Sequence, residues 1–94
     1  MNIKQSDKTI FNVIWESQVD AEFLVQVYPC DNLKVAQAMM KRFKNEILSN
    51  GHFSQSNIDD FVIEETDNRY FIIDNTDDYY EDIYIIEKKV YIDN

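Results

Sequence analysis

The chain has 94 residues, of which 45% are hydrophobic and 14% aromatic, and its formal net charge is −9. This length favours one domain, residues 1–94, near the lower limit for a useful core, and the apolar content excludes an acidic disordered chain. The single cysteine excludes an intramolecular disulfide and any multi-cysteine metal site. No apolar run is long enough for a secretory leader or a membrane span, so we expect a cytosolic protein without membrane contact.

The first predicted elements are two paired β-strands. Residues 9–16, TIFNVIWE, are rich in β-branched and aromatic residues, and residues 22–28, EFLVQVY, alternate between two sets of side chains. The β-propensity of residues 9–16 favours a strand. A helix is the alternative there, because four apolar residues also recur at helical spacing: Ile10, Phe11, Ile14 and Trp15.

An amphipathic helix is predicted between Asp31 and Asn50. Its apolar residues recur every three or four positions, at Leu33, Ala36, Met40, Phe43 and Ile47. Asp31 or Asn32 can cap its first amides, and the pair Asn50-Gly51 is typical of a helix end. The opposite face is polar and largely basic, with Lys34, Gln37, Lys41 and Lys44.

Three more β-like runs follow a polar connection: FVIEE from Phe61, RYFIID from Arg69 and DIYIIEKKVYID from Asp82. The last run is predicted to fold back at Glu87-Lys88-Lys89. Turns are assigned to Asp- and Asn-rich sequence, because the chain holds one glycine and one proline. The order ββαβββ predicts an α+β fold in a single small domain, with an antiparallel sheet of about five strands and one amphipathic helix.

The net charge is confined to the carboxyl-terminal third of the chain. Residues 1–58 hold six acidic and six basic residues, whereas residues 59–94 hold twelve acidic residues against three basic ones. Within that third, the stretch DNTDDYYEDIYIIE, residues 74–87, combines carboxylates with tyrosines. Repulsion among these clustered negative charges destabilises the compact state, which indicates that the charge serves a function.

Candidate catalytic and metal-binding residues are few. Cys30 lies just before the helix, where a thiol pKa can be lowered, but a small semi-buried thiol is the favoured interpretation. His52 follows the helix and can complement its last carbonyls. A calcium loop opening at Asp74 would need glycine in place of Tyr79 and glutamate in place of Ile85. We therefore predict no catalytic residue, no metal and no cofactor, and a protein that is not an enzyme.

The charge pattern points to a basic protein partner. Direct nucleic-acid binding is disfavoured, because bases are outnumbered by acids and the basic helix face is best explained as a solvated surface. Clustered carboxylates steer and pair with lysine and arginine, and tyrosine offers contact area and a face for arginine. The predicted partner-binding residues are Glu64, Glu65, Asp67, Asp74, Asp77, Asp78, Tyr79, Tyr80, Glu81, Asp82 and Tyr84.

In its size, acidity, single cysteine and richness in Asn, Asp, Ile and Tyr, the chain resembles small inhibitors encoded by phages and mobile elements. These include anti-CRISPR proteins and uracil-DNA glycosylase inhibitors. The resemblance extends over the whole chain through size and charge, without a shared motif. It implies an inhibitor that acts as a DNA mimic in the cytoplasm of a host cell, blocking the basic nucleic-acid-binding site of a host enzyme. The alternatives are an immunity or antitoxin protein that neutralises a basic toxin, and an assembly module without inhibitory activity.

Overall fold

The computed structural model of the chain describes residues 2–49, 61–74 and 79–93. Within these ranges, five antiparallel strands form one sheet in the spatial order β2-β1-β5-β4-β3, accompanied by a single helix. The predicted α+β fold and the order ββαβββ are confirmed. The elements are β1 (Ile3–Val19), β2 (Glu22–Cys30), α1 (Leu33–Leu48), β3 (Phe61–Thr66), β4 (Arg69–Asp74) and β5 (Tyr79–Asp93).

Residues 9–16 belong to a strand, which confirms the favoured prediction and excludes the helical alternative. They lie in β1, which is paired with β2 on one side and with β5 on the other. Alternate side chains of β1, including the fully buried Val13, contribute to the core under α1. The β-branched and aromatic residues of this segment therefore fit a pleated, half-buried surface better than a helical stripe.

The β1–β2 connection is a two-residue turn, since Val19 pairs directly with Glu22. Asp20, the first residue of the turn, has a φ of 55°. Aspartate tolerates this left-handed conformation because its short polar side chain can bond to the nearby backbone. The acid at position 20 is therefore explained by the geometry of the turn.

Helix α1 begins after Asn32, whose side-chain oxygen accepts a hydrogen bond from the Val35 amide at 2.9 Å. This contact selects Asn32 over Asp31 as the cap. Leu33, at the first helical position, is 37% exposed, so the buried stripe begins one turn later with Ala36, Met40, Phe43 and Ile47. The predicted end at Asn50-Gly51 lies outside the described residues. No helix in the described part of the chain is long and apolar enough to cross a membrane.

The prediction that the chain folds back at Glu87-Lys88-Lys89 is wrong, because β5 continues as one strand to Asp93. Lys88 pairs with Ile10 and Lys89 with Thr9, and the Lys89 ammonium group donates to the Thr9 hydroxyl at 2.8 Å. The early residues of β1 therefore supply partners for the last part of β5, with a break in the register between Gln5 and Thr9. Both lysines are exposed, so their ammonium groups reach solvent even though the residues lie within a strand and not in a turn.

The core lies between α1 and one face of the sheet, which we call the helix face. The ring centroid of Phe43 lies 4.7 Å from that of Trp15 and 4.8 Å from that of Tyr28, so the three rings pack together. No described element packs on the opposite face, which we call the open face. Because directly paired residues share a face, the register assigns to it Phe23, Val25, Val27, Ile14, Glu16, Gln18, Tyr84, Asp82, Tyr80, Arg69, Phe71, Ile73, Val62 and Glu64.

Candidate protein-binding surface

A row of carboxylates crosses the open face. Glu16 on β1 pairs with Asp82 on β5, Asp82 pairs with Phe71 on β4, and Phe71 pairs with Glu64 on β3. Neighbouring strands lie about 4.8 Å apart, so the three carboxylates and the phenylalanine ring occupy one line across four strands. Like charges placed directly opposite each other destabilise a sheet, so the Glu16–Asp82 pair requires compensation.

Arg69 supplies part of that compensation. Its Nε and Nη2 atoms donate to the two carboxylate oxygens of Asp82, both at 3.0 Å. The guanidinium carbon also lies 5.1 Å from the ring centre of Phe71. The hydrogen bond to Asp82, followed by the charge of that carboxylate, raises the pKa of Arg69. The open face thus already holds one arginine between a carboxylate and an aromatic ring.

Tyr84 also compensates the repulsion between Glu16 and Asp82, because its hydroxyl donates a hydrogen bond to Glu16 Oε1 at 2.8 Å. Burial, the hydrogen bond to Glu16 and the charges of Glu16 and Asp82 together raise the pKa of Tyr84 to about 12. Burial also raises the pKa of Tyr80, with Glu16 and Asp82 adding to the effect. Both phenols therefore stay neutral at physiological pH beside these carboxylates.

Two of the predicted partner-binding residues, Glu81 and Tyr79, are instead buried on the helix face. Glu81 is 5% exposed and accepts hydrogen bonds from the Trp15 indole at 3.0 Å and from the Tyr79 hydroxyl. Tyr79 is itself buried, and its ring meets Phe61 edge-on. The Glu81 carboxylate is consequently part of the internal hydrogen bonding that joins β1 to β5.

Glu65 and Asp67 lie at the far end of the β3–β4 hairpin. Both oxygens of Glu65 are 2.6 Å from the Lys44 ammonium group, which also lies 5.2 Å from the ring centre of Tyr70. This ion pair connects α1 to β3 and neutralises one lysine on the basic side of α1. Asp67 is exposed in the turn itself.

The structure therefore distributes the predicted partner-binding residues over several places. Glu64, Tyr80, Asp82 and Tyr84 share the open face; Glu65, Tyr79 and Glu81 share the helix face; Asp67 is in a turn and Asp74 ends β4. Asp77 and Asp78 lie outside the described residues. Their common role in binding remains a prediction. Sequence reasoning missed Glu16 and Arg69. The alternation of side chains along β1 was a usable signal, because it places Glu16 and Trp15 on opposite faces of the sheet.

Exposed apolar side chains border the carboxylate row on both edge strands. Phe23, Val25 and Val27 of β2 are 45–58% exposed, and Val62 of β3 is 52% exposed. Exposed apolar side chains that lie together are typical of surfaces that other proteins contact. No protein-family model, curated protein or solved structure matches this chain.

The candidate chemical residues are placed as follows. Cys30 is buried in the core with its sulfur 4.0 Å from that of Met39. Burial, together with the charge of Asp31, raises the pKa of the Cys30 thiol, which opposes formation of a thiolate. His52 lies outside the described residues. In ranges 2–49, 61–74 and 79–93, no three His, Cys, Asp or Glu side chains are grouped closely enough to hold a metal.

The raised pKa of Tyr84 predicts a loss of stability in alkaline solution. Between its ordinary value of 10.0 and about 12, the folded protein retains a proton that the unfolded chain has released. The free energy of unfolding therefore decreases as pH rises through this window. Urea unfolding at a series of alkaline pH values should show a shallower decrease for Tyr84→Phe than for the wild type. Identical pH dependence in the two proteins would contradict the assignment.

Proposed function

We propose that this protein binds a basic surface of another protein through its open face, and that the bound surface is the nucleic-acid-binding site of a host enzyme. The observation that carries this proposal is the row of Glu16, Asp82 and Glu64 on the open face, where neighbouring strands space the three carboxylates and aromatic rings border them. Glu64 is exposed and Glu16 is half-buried, whereas Asp82 is 9% exposed beside its partner Arg69. A site that binds nucleic acid presents lysine and arginine to a regular series of phosphates, and fixed carboxylates offer it a similar series.

The arrangement of Arg69 supports recognition of arginine on this face. Its guanidinium is held by both oxygens of Asp82 while it lies over the ring of Phe71. Tyr80 and Tyr84 place further aromatic rings beside the same carboxylate row. Because both oxygens of Asp82 are occupied by Arg69, an arginine from a partner would use the same combination of bidentate pairing and cation–π contact at Glu64 or Glu16.

The fixed positions of these side chains also favour binding. Glu16 is oriented by Tyr84 and Asp82 by Arg69, so little side-chain freedom is lost when a partner docks. The net charge of −9 adds long-range attraction that accelerates encounter with a basic surface. Attraction of this kind weakens as salt is added.

The test begins with affinity capture from a host lysate, followed by kinetics with the purified partner. The variant Glu16→Gln/Glu64→Gln removes two open-face charges and keeps an acceptor for Tyr84. We expect association to slow by about tenfold, and DNA or RNA to compete with the wild-type protein for the partner.

The matched control is Asp20→Asn/Glu46→Gln, which removes two exposed charges away from the open face. It should change the association rate by less than about twofold. Unaltered binding by the open-face variant, or failure of nucleic acid to compete, would contradict the proposal. A captured partner that is a toxin without a nucleic-acid-binding site would replace the proposal with the immunity alternative.

A further inference from the structure

Among the described strands, none pairs with the outer edge of β2, and this edge has little protection by charged residues. The strand stands at one end of the sheet order, and its register with β1 runs without a bulge from Glu22 to Cys30. No residue after Glu22 in β2 is charged, although 29% of the chain is. Proteins usually protect such edges with charges, bulges or proline, and β2 has only Pro29 near its end.

The other exposed edges of the sheet are charged. β3, at the opposite end of the sheet order, carries Glu64 and Glu65 in its second half. The ends of β1 and β5 that extend beyond β2 and β4 carry Lys4, Lys8 and Lys89. Two copies of a chain with net charge −9 repel each other, so contact between them requires a surface free of carboxylates. β2 meets that requirement from Phe23 to Cys30.

The sequence of β2 is also complementary to itself on the open face. In antiparallel pairing about Val25, this residue lies opposite Val25 of a second copy, and Phe23 lies opposite Val27 of that copy. Aromatic and β-branched residues are favourable cross-strand partners. All three side chains are about half exposed in the single chain, so pairing covers apolar surface.

The same register is compatible with the helix face. Leu24, which is 57% exposed, lies opposite Gln26 of the second copy. Glu22, the one acid of β2, lies opposite Tyr28, a phenol that already donates to Gln26 at 2.8 Å. A tyrosine hydroxyl is an acceptable neighbour for a carboxylate, whereas a second carboxylate is not. Both faces of the strand therefore accept one register.

We propose that the protein forms a two-fold dimer by antiparallel pairing of β2 with β2 of a second copy, centred on Val25. The two sheets join into one continuous sheet of ten strands, with both helices on one side and both open faces on the other. Main-chain hydrogen bonds along the paired edges and the contacts at Phe23, Val25 and Val27 hold the copies together. This proposal does not depend on the identity of any other partner.

Light scattering coupled to size-exclusion chromatography tests the assembly. The wild type should have twice the chain mass of 11.2 kDa. Val25→Lys places two ammonium groups opposite each other at the two-fold axis and should give a monomer, with circular dichroism confirming its fold. Val62→Lys makes the same change on the open face of β3 and should remain a dimer. A monomeric wild type, a dimeric Val25→Lys or a monomeric Val62→Lys would overturn the proposal.

Disulfide trapping tests the register without relying on Val25→Lys. In a Cys30→Ala background, Val25→Cys should cross-link to itself, because opposite Cβ atoms lie about 5 Å apart. A mixture of Phe23→Cys and Val27→Cys should cross-link, whereas Phe23→Cys alone should not, since its two copies are separated by about 13 Å along the strands. Efficient cross-linking of Phe23→Cys alone, or none in the mixture, would overturn the antiparallel register.

Discussion

Replacing either Met40 or Phe43 with aspartate is expected to unfold the domain. Both side chains are 7% exposed, and the Phe43 ring packs against the rings of Trp15 and Tyr28. A buried carboxylate without a partner, added to the lost packing, should destabilise the fold by about 5 kcal/mol. Small domains have only about 5–15 kcal/mol of stability in total. Circular dichroism should show loss of the cooperative thermal transition.

The matched control is Ala38→Asp, because Ala38 lies on the exposed side of the same helix. This change introduces the same residue and should lower the free energy of unfolding by about 1 kcal/mol or less, mainly through helix propensity. The contrast between the two sides of α1 is the informative quantity. Cooperative melting of Met40→Asp and Phe43→Asp near the temperature of Ala38→Asp would show that α1 does not dock on the sheet through this stripe.

Local patterns in the sequence are sufficient to predict the helix and the order of the elements along the chain. The spacing of Ala36, Met40, Phe43 and Ile47 specifies one buried helical face, and that pattern depends only on residues within the helix. The fold-back at Glu87-Lys88-Lys89 was predicted wrongly for the opposite reason. Continuation of β5 depends on the early residues of β1, about 80 to 90 positions away in the chain, which no local pattern reports.

The candidate site was predictable only in part for a related reason. Glu81 and Asp82 are adjacent in an acidic run, but successive residues of a strand point to opposite faces. Asp82 consequently pairs with Arg69 on the open face, while Glu81 accepts hydrogen bonds from Trp15 and Tyr79 on the helix face, and both carboxylates are largely buried. Their partners come from other strands, so composition could indicate the density of acids but not their separate surroundings. Glu16 joins the site only through the pairing of β1 with β5.

The buried carboxylate of Glu81 is expected to contribute more to stability than any exposed acid of the chain. Glu81→Ala removes the acceptor of the Trp15 indole proton and of the Tyr79 hydroxyl proton. Loss of two charge-assisted hydrogen bonds, one from a buried donor and one from a partly buried donor, should lower the free energy of unfolding by about 3 kcal/mol. Urea unfolding measures this loss of free energy. The fluorescence of Trp15, the single tryptophan and a direct partner of Glu81, reports the transition.

Glu64→Ala is the matched control, since it removes an exposed acid from the open face and should change stability by about 0.5 kcal/mol or less. Glu81→Gln keeps an oxygen for the Trp15 indole while removing the charge, so its loss should fall between those of the two alanine variants. In a double-mutant cycle, Trp15→Phe should reduce the further loss caused by Glu81→Ala, because the indole donor is already gone. Equal stabilities of Glu81→Ala and Glu64→Ala would contradict a structural role and return Glu81 to the acids available for a partner.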